Sequence, residues 1–222
     1  MLRFPKGAEP RALVEARATP GSTWETLQGE AKLQVRADLA RDQGWRCAYC
    51  QRRIQHAADR MKIEHWAPRA GGGEDLAWSN LLGCCLGDAD LEAGVEPGTT
   101  PRKDRIHCDT SKGDRDLFLH PVEGQGPDPR ASLRYPGSGQ VTADDPRAKR
   151  DIEVLNLNAP RLLRARVQAV EALKSRLDKR GWSARQIRVE IAKLDERDAA
   201  GRGPELAEVA RYHLARWERR RS

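Results

Sequence analysis

The chain of 222 residues has no run of about 18 apolar residues, which excludes a membrane-spanning helix of the usual kind. Its first residues, Met1-Leu2-Arg3-Phe4-Pro5-Lys6-Gly7, lack the apolar stretch of a secretory signal, so a cytoplasmic, reducing location is expected. A glycine-rich phosphate loop closed by Lys-Ser or Lys-Thr is missing, and any use of ATP would have to come from another chain. No internal repeat is found, nor a helix-turn-helix or finger array that could read bases in a major groove. The length suffices for one compact domain with appendages or two small ones, so the core as a whole needs no covalent staple.

Cysteine is sparse and odd in number: Cys47, Cys50, Cys84, Cys85 and Cys108. In a reducing compartment such a set reads as metal ligands before disulfides. The formal charge of +7 is unevenly placed, with 23 basic and 22 acidic groups in residues 1–150 against 17 and 11 in residues 151–222. That excess suits a polyanionic partner, or the solvated faces of surface helices.

Ser22 to Glu25 has the pattern of a capping box opening a helix, with Trp24, Leu27, Ala31, Val35 and Leu39 at steps of three and four and Gly44 as a stop. Met61, Ile63 and His65 alternate with Lys62, Glu64 and Trp66, the period of a short strand that puts Glu64 and His65 on opposite faces. Gly71 to Gly73 mark a turn, and Asn80 to Cys85 reads as the returning strand. Residues 87–105 read as a surface insertion, and 121–150 as a Pro/Gly-rich arm with a short hairpin near Leu133 to Val141. The last region, 151–222, is helical. Pro160 opens a stripe of Leu163, Val167, Val170, Leu173 and Leu177 closed by Gly181, Ser183 to Gln186 is a second capping box, and Pro204 begins a third helix.

Chemistry concentrates between these flanks. Cys47 and Cys50 can place both sulfurs on one tetrahedral Zn²⁺, which Cys108 and either Cys84 or Cys85 would complete. A small unit of two strands and a helix buries little apolar surface, so a structural metal would supply folding energy there. His56 and His107 are reserve ligands. The same segment offers His65 as a general base and Glu64 and Asp109 as oxygen donors, the parts needed for metal-assisted cleavage of a phosphodiester.

Taken together, Cys47-Ala48-Tyr49-Cys50, Ile63-Glu64-His65-Trp66-Ala67-Pro68-Arg69, Trp78-Ser79-Asn80-Leu81-Leu82 and His107-Cys108-Asp109 with Lys112-Gly113-Asp114 resemble the HNH endonucleases. More narrowly they look like the PtuB-type branch, found in the Septu anti-phage system and beside some retrons. Val154-Leu155-Asn156-Leu157-Asn158 before a basic helix is similar to the same branch. The resemblance implies an α+β fold: a zinc-stapled ββα-metal (His-Me finger) core over 47–120, flanked by an N-terminal helical region (1–46) and the C-terminal helical region. It implies catalytic roles for His65 as base, Glu64 and Asp109 as holders of a divalent ion, Mg²⁺ or Mn²⁺, and Asn80 as the residue that fixes the loop aiming the His. It also favours Cys85 over Cys84 as zinc ligand and Asp109 over His107 in the third catalytic position. Lys112 stands where a basic residue could meet a substrate phosphate. The family at large has Asp where Glu64 stands and Asn or His where Asp109 stands. Two carboxylates would make the site more negative and its metal dependence tight.

The expected activity is metal-dependent hydrolysis of nucleic acid, DNA rather than RNA, by the nuclease effector of a defence pair whose other half is an ABC- or SMC-type ATPase resembling PtuA. The competing expectation is a zinc-stabilised module that binds nucleic acid or protein without catalysis. A homing or restriction nuclease ranks below both, because no sequence reader accompanies the motif.

Overall fold

A computed structural model describes residues 1–57, 59–69, 74–88 and 104–221. Most of the expected insertion 87–105 and the turn at Gly71 to Gly73 lie outside the described residues. The elements in chain order are α1 (Arg11–Ala18), α2 (Gly29–Asp42), β1 (Lys62–His65), a 3₁₀ turn (Trp78–Asn80), β2 (Leu81–Cys84), α3 (Asp109–Lys112) and α4 (Pro129–Ser132). There follow β3 (Leu133–Arg134), β4 (Thr142–Ala143), α5 (Pro146–Val154), α6 (Pro160–Arg180), α7 (Ala184–Ala192) and α8 (Ala207–Arg219). The protein is therefore α+β, helices around two small antiparallel hairpins, β1 with β2 and β3 with β4. No helix among the described residues is long and apolar enough to cross a membrane.

Several helix starts follow the local chemistry. Asp128 and Asp145 cap α4 and α5 by accepting from Arg130 N and Arg147 N, each before a proline in the first turn. Ser183 caps α7 by accepting from Gln186 N, and α6 runs from Pro160 to a left-handed Gly181. Three expectations are corrected. The capping box at Ser22 opens no long helix: Thr23 and Thr26 close an isolated turn on each other, and α2 starts at Gly29. Helix α8 starts at Ala207 rather than at Pro204, because Leu206 takes a left-handed conformation with φ 53°. The start of the α6 stripe also differs by one position: Leu162 and Arg166, not Leu163 and Val167, face inward ahead of Val170, Leu173 and Leu177.

One continuous apolar cluster runs from Met1 and Leu2 through Leu39, Tyr49, Leu82, Leu119, Leu133, Tyr135 and Leu155 to Val209. The segment 121–150 is thus packed into the core through Val122, Leu133, Tyr135, Val141 and Ala143, where composition alone suggested a covering arm. A second cluster, with Leu173, Leu177, Ile187, Leu194, Ala207 and Leu214, joins α6, α7 and α8.

Candidate metal and nuclease site

The β1–β2 hairpin is short, with Ile63 opposite Gly83, Glu64 opposite Leu82 and His65 opposite Leu81. Gln43, fully buried at the end of α2, stands in for a third strand. Its Oε1 accepts from Gly83 N at 2.7 Å, and its Nε2 donates to Gly83 O at 2.7 Å and Arg46 O at 2.6 Å. The turn after Arg46 is held the same way: Ala48 N donates to Gly83 O at 3.0 Å and Cys47 N to Arg52 O at 2.8 Å. Backbone pairing thus presses the first two cysteines against the hairpin.

The sulfurs of Cys47, Cys50, Cys85 and Cys108 all lie within 4.8 Å of one another. Cys47 and Cys108 are 3.8 Å apart and Cys50 and Cys85 3.7 Å apart. Sulfurs about 2.3 Å from a central Zn²⁺ in a tetrahedron would be about 3.8 Å from one another, so the spacing fits a four-thiolate metal site such as zinc. Cys84 is buried but stands outside the group, since neighbours on a strand point to opposite sides. Cys108 is carried in from far along the chain. Its N–H donates to Leu155 O at 2.8 Å, and Asn156 Nδ2 donates to Ile106 O at 2.7 Å, so the 154–158 stretch straps the fourth thiol in place. Gly87 allows the close return: a Cβ there would lie 2.2 Å from His107 O. His107 faces the thiols, with Nδ1 3.1 Å from Cys108 Sγ, and Asp88 lies 3.4 Å from its Nε2. Its ring is therefore occupied on the thiol side rather than beside Glu64.

His65 is 8% exposed. Its Nε2 is 2.8 Å from the backbone oxygen of Asp75, and its ring meets Trp24 edge-on with centroids 5.0 Å apart. A carbonyl can only accept, so Nε2 carries the proton and Nδ1 keeps its lone pair. Burial lowers the imidazole pKa below its usual 6.5, with the Asp75 bond opposing and Arg69 adding to the shift. Asp75 is itself anchored, its carboxylate accepting from Trp24 N at 2.8 Å. Asn80, 5% exposed, grips the loop that carries Asp75. Its Oδ1 accepts from Ala67 N at 2.7 Å and its Nδ2 donates to Ala67 O at 3.2 Å and Glu74 O at 3.1 Å.

Glu64 leaves β1 on the opposite side, where Tyr49 Oη donates to its Oε1 at 3.0 Å and Lys112 Nζ lies 2.8 Å away. Its carboxyl is hydrogen-bonded to that of Asp109, the first residue of α3, and Asp109 meets Lys62 Nζ at 3.1 Å. Burial first, then the Asp109 carboxyl, pushes the Glu64 pKa up to about 9 against the pull of Lys112. For Asp109 burial acts upward, but the bond from Glu64 and the charge of Lys62 hold it below the usual carboxylate range. Two carboxyl oxygens facing one space form a donor set that would suit a hard ion such as Mg²⁺ or Mn²⁺.

Two expectations need revision here. Lys112 is 1% exposed, and its ammonium is taken up by Glu64, His65 O at 3.0 Å and Gly113 O at 3.3 Å. It serves as an internal counter-charge and tie between α3 and β1, and it does not face a substrate phosphate. Nor is the acid pair left with an excess of negative charge, because Lys62 and Lys112 both stand against it. Lys62, with 40% of its side chain exposed, is the lysine that reaches solvent beside Asp109. Sequence reasoning missed Lys62, Tyr49, Trp24 and Asp75. Only Lys62 was within reach, as the residue two before Glu64 and so on the same strand face.

No protein-family model matches the chain. Over 98 residues it is 34% identical to an Escherichia coli protein named "Retron Ec83 putative HNH endonuclease", a match covering 39% of this chain. The matched region spans 38% of that relative's length. At that level the chain is similar to a protein named as an HNH nuclease.

Proposed function

We propose that this chain is a metal-dependent HNH endonuclease of the PtuB type that hydrolyses phosphodiester bonds, in DNA rather than RNA. The observation that carries the reading is the His65 imidazole, held by a backbone carbonyl through Nε2 on a hairpin pinned by four thiols, one residue from a carboxyl paired with Asp109. With Nε2 engaged by the Asp75 carbonyl, Nδ1 is the nitrogen that would take a proton from a water molecule attacking phosphorus, and the substrate would have to reach from this face of β1 to Glu64 and Asp109 on the other. Asp75 and Trp24 keep the ring from turning, and Asn80 keeps Asp75 in place. Cys47, Cys50, Cys85 and Cys108 would hold a structural Zn²⁺, and Glu64 and Asp109 a Mg²⁺ or Mn²⁺. When bound, the latter supplies positive charge to the phosphate as negative charge builds on it. Lys62 is placed to add charge at the solvent side of the same site.

In the cell this activity fits the nuclease half of a cytoplasmic anti-phage defence pair, with ATP hydrolysis supplied by an ABC- or SMC-type ATPase of the PtuA kind. The similar Escherichia coli protein is named for a retron, and the branch this chain resembles is also found beside retrons. Incubating the purified chain with plasmid, linear DNA and tRNA, with Mg²⁺ or Mn²⁺ and without added divalent ion, tests the hydrolytic step. His65→Ala should abolish cleavage while leaving metal content and fold unchanged.

One observation favours a second reading, a module that binds without cutting: Lys62 and Lys112 stand against the acid pair and leave it no uncompensated negative charge. Such a binder has no need of His65, so an unaltered cellular phenotype in His65→Ala would select it.

A further inference from the structure

The basic excess of residues 151–222 is not used by the cleavage site, and part of it collects in one groove. That groove, of about 380 Å³, lies between α8 and the α4–β3 segment, within the size range of ligand sites. Its α8 wall presents Glu208, Arg211, Tyr212, Arg216 and Arg219 along one side of the helix, and the opposite wall adds Arg130 and Arg134. Glu208, the one carboxylate lining the groove among the described residues, is already satisfied. Glu208 is gripped by Arg130 through two hydrogen bonds of 2.7 Å, with Arg211 at 3.6 Å, and Arg211 also meets Asp195 at 2.6 Å.

Three guanidinium groups remain in surplus. Arg134 donates to Ala131 O at 2.8 Å, and among the described residues its acid partner is the exposed Asp144 at 3.7 Å. Arg216 meets the Tyr212 hydroxyl at 3.3 Å and lies 5.5 Å from the centre of that ring. Arg219 is exposed, and among the described residues no carboxylate lies within ion-pair distance of either Arg216 or Arg219. Cations held without counter-ions around a half-buried aromatic ring match a phosphate joined to a flat base: guanidinium forks bind phosphate oxygens, and a ring offers a stacking face.

We propose that this groove docks one nucleotide unit of a single nucleic-acid strand, the phosphate on Arg134, Arg216 and Arg219 and the base against Tyr212. A paired duplex base has no free face to offer the ring. The assignment deepens the nuclease reading by naming a strand-docking surface, but binding is measured apart from cleavage, so the two can fail separately.

The test uses the full chain carrying His65→Ala, without added divalent ion, and fluorescence anisotropy of labelled oligothymidylate across a salt series. Adding Arg216→Gln and Arg219→Gln should weaken binding several-fold and flatten the slope of log affinity against log salt by up to about 0.7, the value for one phosphate no longer neutralised. A control pair, Arg164→Gln with Arg185→Gln, removes equal charge from exposed positions on α6 and α7 outside the groove and should leave the slope unchanged. An abasic strand of the same length should bind the parent chain several-fold more weakly, with the same slope. Equal losses in both arginine pairs, or none in Arg216→Gln with Arg219→Gln, would overturn the site. Equal binding of the abasic strand would overturn the base contact. Competition by free thymidine monophosphate at matched nucleotide concentration would overturn the strand as occupant.

Discussion

Replacing Asn80 by alanine removes three hydrogen bonds at once, those with Ala67 N, Ala67 O and Glu74 O. The side chain is buried, so the backbone groups it leaves behind gain no easy replacement from water. At about 1 kcal/mol net for each bond the loss is about 3 kcal/mol. For a chain of this size that is a fall in Tm of about 6 to 12 °C. A second effect follows from position. Glu74 precedes Asp75, whose carbonyl fixes His65 Nε2, so freeing the loop lets the ring turn. A misplacement of about 1 Å costs about 100-fold in rate. The expected result is a kcat about 100-fold lower with KM little changed, measured by single-turnover cleavage at a temperature where the variant is still folded, alongside urea and thermal unfolding. Asn80→Asp keeps the acceptor for Ala67 N but turns a carboxylate toward two carbonyls, and should behave nearly as badly. If Asn80→Ala unfolds within about 0.5 kcal/mol of the parent, the ordinary range of neutral surface changes, the clamp reading is wrong. Cleavage at the parent rate would remove its link to His65.

Further outcomes test the remaining parts of the site. Cys47→Ser or Cys108→Ser should abolish bound zinc and lower Tm sharply, whereas Cys84→Ser should keep one zinc per chain by elemental analysis; zinc loss in the latter would contradict the four-thiol assignment. The His65 base works only when neutral, and its pKa lies below the usual 6.5. Cleavage should therefore rise through an acid limb centred below pH 6.5 and be level by neutrality, and a limb centred above that value would count against this imidazole. With its pKa at about 9, Glu64 keeps its proton at pH 7 in the metal-free protein. Binding of Mg²⁺ or Mn²⁺ must displace that proton, so calorimetry in buffers of different ionisation enthalpy should show release of up to one proton per ion. Affinity should rise about tenfold per pH unit toward pH 9, and binding without proton release would place the ion elsewhere. Lys62→Ala should lower cleavage through a weaker, less salt-dependent interaction with nucleic acid, as a binding titration in the His65→Ala background would show.

Much of the candidate site was legible in the chain because it depends on short-range rules. A two-residue period set Glu64 and His65 on opposite faces of β1, and proline and glycine marked the two ends of α6. The spacing of Cys47 and Cys50 also announced a thiol pair before any coordinates. Where signals conflicted, the local rule failed. The capping box at Ser22 became an isolated turn, because Trp24 is drawn over the hairpin loop by its bond to Asp75 and its contact with the His65 ring.

What the order of residues determined alone was the inventory: which side chains could take a proton, bind a hard ion or bind a soft one, and on which strand face the first two lie. The choice of Cys85 over Cys84, the assignment of His107 to the thiol side and the use of Lys112 as an internal cation were settled by tertiary structure. Each depends on what a distant segment brings alongside, such as Leu155 holding Cys108 or Gly113 and His65 offering carbonyls to one ammonium. Sequence spacing carries no record of such long-range approaches, because their free energy is realised only when the chain has closed on itself.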